Sequence, residues 1–204
     1  MKVNWNTALN AIAACAAILI AVILLLALRF AQHEATQFEH LDGIRNLDSR
    51  IAEYESARFT GIRRSLASQR IDPANQRLRQ YDPDNPPDPL IDELNFCDDL
   101  GLLVYRGAVN RHDVWDVFGD WLFILNRDAQ PAIDAARRRE GASIFGDCTD
   151  LVESLNDIEV AENGNPRMIH PGDDAIYRFY LSETNAQPGE PPNNARFKLR
   201  QKDK

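Results

Sequence analysis

The chain has 204 residues and a formal net charge of −8. That acidity excludes a broad nucleic-acid-binding surface, which needs a basic patch to neutralise phosphates. Mean hydropathy is polar at −0.40, yet residues 3–28 carry no charged side chain, so the apolar content is concentrated near one end.

Ala8 to Leu28 reads ALNAIAACAAILIAVILLLAL, without charge or proline. At about 1.5 Å rise per residue, this run spans roughly 31 Å as a helix, close to the hydrocarbon thickness of a bilayer. Each Leu, Ile or Val contributes about −0.3 to −0.6 kcal/mol to insertion near the helix centre. In hydrocarbon the backbone must satisfy its own hydrogen bonds, so the run is predicted as a single transmembrane helix, residues 8–30, after a tail 1–7. Trp5 and Phe30 flank it at headgroup depth. A cleaved signal peptide is the competing reading, but the apolar core is long, Lys2 is its only basic lead-in and no A-x-A site follows. Lys2 precedes the run, whereas Arg29, Arg45, Arg50, Arg63, Arg64 and Arg70 follow it, which favours a cytoplasmic soluble domain on a cell inner membrane. Ala13, Ala17 and Ala21 place small residues every fourth position, a spacing that admits close helix–helix approach as well as ordinary alanine usage.

Residues 31–70 form a predicted juxtamembrane helical region. Ile44, Leu47, Ile51 and Tyr54 follow a 3-4-3 spacing, broadened by Phe38 and Leu41, and a second stretch, Ser56 to Gln69, carries Phe59, Ile62 and Leu66. Residues 71–89 hold Pro73, Pro83, Pro86, Pro87 and Pro89 and read as a loop with a short helical piece from Ala74 to Arg79.

Residues 90–156 read as a helical domain. Asp88 is placed to cap and Pro89 to start a helix whose stripe is Leu90, Leu94, Cys97, Gly101 and Val104, with Gly107 ending it. Asn110 is placed to cap a second helix carrying Val114, Val117, Phe118, Trp121, Ile124 and Leu125, which makes an antiparallel hairpin. A new helix is expected from Pro131 to Arg139, and a closing one over 142–156 with Gly146 as its weak point. Residues 157–204 read as an irregular or disordered tail, apart from Ala175 to Leu181 as a short strand or docking motif. The tail's basic end, Arg196 to Lys204, reads as solvated, or as touching an anionic leaflet.

Phe96-x-x-Leu100-Gly101-Leu102-Leu103-Val104-x-Arg106-Gly107-x-Val109, followed by Val114-Trp115-x-x-Phe118-Gly119-x-Trp121, resembles a bacterial family known only as a domain of unknown function. That resemblance implies one N-terminal membrane helix and a helical hairpin; it implies no activity. The expected fold class is therefore all-α, a membrane helix joined to a small helical bundle.

Candidate sites are sparse. Asp113, Asp116 and Asp120 share a helical face beside His112 and, with Asp98 and Asp99, offer a carboxylate-rich cation site; the alternative is a solvated face opposite Trp115, Phe118 and Trp121. Those three aromatics are either core or an exposed partner anchor. Arg137, Arg138 and Arg139 suit a helix C-terminus or anionic headgroups. Cys97 and Cys148 read as buried free thiols, with one disulfide as the alternative; Cys15 lies in the apolar run. His33, His40, His112 and His170 are scattered, and no hydrolase, Walker or dinucleotide motif occurs. The expected function is a non-enzymatic, membrane-tethered interaction domain without a cofactor. Its expected partners are the lipid bilayer and either a second copy or another membrane protein, with no nucleic acid. The alternatives are a metal-dependent sensor or hydrolase, or an accessory subunit of a larger membrane complex.

Overall fold

The computed structural model describes residues 42–163 and 171–189. The predicted span 8–30, its alanine face, Phe38, Leu41, His33, His40, His170 and the basic end lie outside the described residues. Among the described residues no helix is long and apolar enough to cross a membrane.

Six helices and one small hairpin make up the described part. Helix α1 covers residues 42–54. Its apolar stripe sinks progressively inward: Ile44 is exposed, Leu47 and Ile51 are half-buried, and Tyr54 is fully buried. Ser56 then caps α2 (Ala57–Arg70), its hydroxyl accepting from the Phe59 amide at 3.1 Å.

The proline loop is more ordered than its composition predicts. Ile71–Asp72 (β1) pairs antiparallel with Arg77–Leu78 (β2), so the expected helical piece Ala74–Arg79 is replaced by a hairpin. The Asp72 carboxylate accepts from the Asn75 side chain at 2.7 Å and from its amide at 3.3 Å, closing the turn, and Gln76 takes a positive φ of 51°. The same Asn75 hydrogen bond holds the Asp72 carboxyl below its ordinary pKa.

Helix α3 (Asp88–Tyr105) starts one residue earlier than expected. Pro87 is its N-cap, and Asp88 stands in the first turn, where the dipole favours a negative charge. At its end Gly107 adopts φ +69°, and the Gly107 and Ala108 amides reach back to Val104 and Leu103 carbonyls. Asn110 caps α4 (Arg111–Glu140) through His112, as its position implies. Helix α4 is continuous through Pro131, where the sequence implied a new start. Proline inside a helix costs about 3 kcal/mol. Buried Ala129, Ala132 and Ile133 around it keep the helix packed on the core across that defect.

Helix α5 (Gly146–Asn163) begins at the glycine expected to weaken it and runs past 156. Residues 173–183 form α6 (Asp173–Glu183), a helix where a short strand or a docking motif was anticipated. Ile176, Tyr180 and Glu183 are buried at helical spacing, while Asp173 and Asp174 occupy the first turn. The expected irregular tail from 157 is thus helical in these two stretches; residues 164–170 and 190–204 lie outside the described residues.

Among the described residues α3 and α5 approach closely at Gly101. A Cβ at Gly101 would lie 2.1 Å from the Asp147 carbonyl oxygen, so only glycine fits there. One turn earlier Cys97 forms a disulfide with Cys148, their Cα atoms 5.1 Å apart. This corrects the free-thiol expectation: both sulfurs are buried, but the glycine contact brings α5 onto α3 with the two residues face to face. Asp98 accepts from the Cys148 amide at 3.0 Å and caps the first turn of α5.

Gly101→Ala should therefore destabilise the oxidised protein by about 1–3 kcal/mol, because the obstructing atom is backbone. Thermal unfolding without reductant measures this; an unchanged midpoint would contradict the contact.

Candidate functional site

The residues expected to form a cation site are dispersed. Asp98 is engaged in the α5 cap, and Asp99 is exposed, 3.5 Å from Arg50. Asp116 lies 3.8 Å from His112, whose other ring nitrogen is 3.6 Å from Glu162. Asp120, expected to face water with its neighbours, is buried. Among the described residues no group of three or more His, Cys, Asp or Glu side chains is arranged to hold a metal ion.

Trp115, Phe118 and Trp121 are core residues, each at most 2% exposed. Both indoles hold a polar partner inside: Trp115 Nε1 donates to Glu159 at 2.9 Å and Trp121 Nε1 to Glu93 at 3.2 Å. Phe118 and Trp121 join Tyr54, Phe59 and Phe96 in a cluster of edge-on and tilted rings 4.7–6.4 Å apart.

Against that cluster lies a set of buried charges absent from the sequence-level candidates. Arg63 and Arg70 stand two turns apart on the inner face of α2. Arg63 is paired with Glu183 of α6 at 3.0 Å, and its guanidinium lies 4.2 Å over the Tyr54 ring. The ring face offers the cation an electrostatic partner where Arg63 Nε and Nη2 have no hydrogen-bond acceptor among the described residues. Arg70 grips Asp128 of α4 with two bonds, Nε to Oδ2 at 2.9 Å and Nη2 to Oδ1 at 2.5 Å. Tyr180 of α6 donates to the same carboxylate at 2.8 Å, and the Tyr81 hydroxyl donates to the Asp128 carbonyl at 2.8 Å.

Helix α6 is thereby laid antiparallel along α2, with Glu183 on Arg63 and Tyr180 at Arg70–Asp128. Arg64 also donates to the Ala186 carbonyl, and the Gly189 amide donates to Glu55 at 2.8 Å. Burial and the nearby carboxylates raise the Tyr54 and Tyr180 pKa values, so both phenols stay neutral. Burial pushes Tyr81 up to about 12. Burial opposes the charge on Arg70, but the Asp128 bonds outweigh it and hold the guanidinium firmly protonated. Glu93 is fully buried; desolvation, reinforced by the charge of Glu183, pushes it up to about 8 despite the Trp121 bond and Arg63.

The arginines at the end of α4 are also engaged. Arg137 donates to the Ile144 carbonyl and the Thr149 hydroxyl, and Arg139 to Asp84. A polar cleft of about 630 Å³ beside them is lined by Asn126, Gln130, Asp147, Asp150 and Glu153. Arg137 also lines it, already bonded to the α4–α5 connection, and no nucleophile there is hydrogen-bonded to a base. Chemically, the interior charges fix helices in place, and burial keeps the Glu93 carboxyl protonated near neutrality. Comparison of the chain with protein-family models, with curated proteins and with solved structures finds no match in any of the three.

Two outcomes follow. Asp128→Asn leaves Arg70 buried without a counter-charge and should cost about 3–5 kcal/mol, measured by urea unfolding. Glu93 has a folded pKa near 8 against an ordinary 4.5, so folding takes up a proton between those values. Its stabilising contribution is complete below about pH 4.5 and is lost as pH rises towards about 8, on the order of 4–5 kcal/mol in total. Glu93→Gln keeps an acceptor for Trp121 and should flatten that decline; identical pH profiles for variant and parent would contradict it.

Proposed function

We propose that this protein is a membrane-tethered helical domain that acts by binding other proteins rather than by catalysis. The observation that carries this reading is the charge-free run Ala8–Leu28, joined to a domain whose aromatic candidates Trp115, Phe118 and Trp121 are engaged in its own packing. The architecture implied by the family resemblance is in keeping with it.

The disulfide favours the oxidising side of the membrane, since such bonds are rare where cellular thiols are kept reduced. The arginine count pointed the other way, but only residues within about 15–20 positions of a span bias its orientation. Within that window Arg29, Arg45 and Arg50 stand against Lys2, a bias of two charges. Arg63 and Arg70 lie beyond it and serve the interior of the domain.

The chain should stay with membranes through an alkaline carbonate wash, and Cys97 and Cys148 should resist maleimide in intact cells until a reductant is added. Crosslinking in the intact membrane should then capture discrete neighbours. Recovery in the aqueous fraction overturns the tether, and labelling without reductant overturns the assigned side.

A further inference from the structure

Arg63 of α2, Glu93 of α3 and Glu183 of α6 are each only 2% exposed. The interior thus holds one guanidinium and two carboxyls that act on one another electrostatically. The other titratable groups coupled to Glu93 are Asp128 of α4, Tyr54 of α1 and Tyr180 of α6. Asp128 is already committed to Arg70, and both phenols stay neutral. Trp121 donates to Glu93 at 3.2 Å and carries no charge.

Arg63 is only partly used. Glu183 lies 3.0 Å from one of its nitrogens, while Nε and Nη2 have no acceptor among the described residues. A guanidinium offers five N–H donors in a fixed fork, so Arg63 has capacity for a second carboxylate. With Glu93 protonated, one cation meets one anion. With Glu93 ionised, two carboxylates compete for one cation, and an uncompensated buried charge is costly.

The three helices do not resist that competition equally. On α3, Cys97 stands one turn after Glu93 and is bonded to α5, and Leu90 and Leu94 are fully buried. On α2, Arg70 is clamped to Asp128. Helix α6 has eleven residues, too few to persist as an isolated helix. Glu183 also sits in its last turn, where the helix dipole disfavours a negative charge and the Arg63 pair offsets the penalty.

We propose that α6 and the segment to Gly189 form a proton-controlled strap: ionisation of Glu93 draws Arg63 away from Glu183, and the strap leaves α2 while the rest of the domain stays folded. Release uncovers the inner face of α2 around Arg63. Nothing in this device requires the apolar run to span a bilayer. Glu93 has a folded pKa of about 8 against an ordinary 4.5, so docking is strongest at low pH and weakens as pH rises towards about 8.

The test is amide hydrogen exchange of the full chain in detergent from about pH 6 to 9, each rate divided by its intrinsic value at that pH. Protection across residues 177–184 should fall by roughly tenfold per pH unit up to about pH 8, then level off. It should also lie at least about tenfold below that of the middle of α3 and α5 throughout, the mark of local opening. Glu93→Gln should flatten the α6 profile. Glu183→Gln, which removes the competitor for Arg63, should flatten it as well. A flat profile in the parent overturns the strap, as does α6 exchanging at the same level as α3 and α5. A full slope surviving in Glu93→Gln overturns Glu93 as the trigger, and one surviving in Glu183→Gln overturns the competition for Arg63.

Discussion

Four charges in the interior set the arrangement of this domain. Arg63 and Arg70 point inward from one face of α2, and a buried guanidinium cannot shed its proton. Each must be met by an anion within the fold: Glu183 comes from α6 and Asp128 from α4. Pairs of this kind add little net stability over apolar packing, because desolvating two charges roughly cancels their attraction. Their effect is on alternatives. Any packing that moves α6 by one turn, or rotates α4 away, strands a charge in a medium that cannot solvate it. The ion pairs thus act as a register device, while the aromatic cluster around Trp121 and the remaining apolar core provide the cohesion.

The disulfide and Gly101 act at a second seam. Helices α3 and α5 approach so closely that a single methyl group on α3 would strike the backbone of α5, and the covalent link sits one turn away. A bond closing a loop of this length removes unfolded-state entropy worth roughly 4 kcal/mol in the chain-entropy account. Asp98, which attracted notice as a metal ligand, caps α5 at the same place. Disulfides persist in oxidising surroundings and are rare where cellular thiols are kept reduced.

Helix α6 shows how a polar C-terminal segment is captured. Its apolar content is modest, and Ile176 and Tyr180 supply most of the buried contact. The remainder is polar and specific: Tyr180 on Asp128, Glu183 on Arg63, and backbone groups of Ala186 and Gly189 bonded to Arg64 and Glu55. Glu93 lies in this neighbourhood and is held neutral close to physiological pH by its own burial and by Glu183. The seat of α6 therefore adjoins a carboxyl whose protonation favours the folded state.

Local signals were legible in the residues themselves. Helical periodicity, the Ser56 and Asn110 caps and the Gly107 stop depend on neighbours a few positions away, and the αα-hairpin appears where these place it. The inward arginines were legible in principle too: Phe59, Arg63, Leu66 and Arg70 share one face, as do Leu90, Glu93 and Leu94 on α3. A charge on an apolar stripe announces a buried partner but not which one. The partners of Arg63 and Arg70 lie 120 and 58 positions away, and pairing over such separations is decided only when helices pack. For the same reason the continuity of α4 through Pro131, the helical state of Ala175–Leu181 and the union of Cys97 with Cys148 belong to the tertiary structure. In each, a contact from a distant element outweighs the local preference: apolar burial for the proline, one ion pair and one buried hydrogen bond for α6, and a glycine-sized gap for the cysteines.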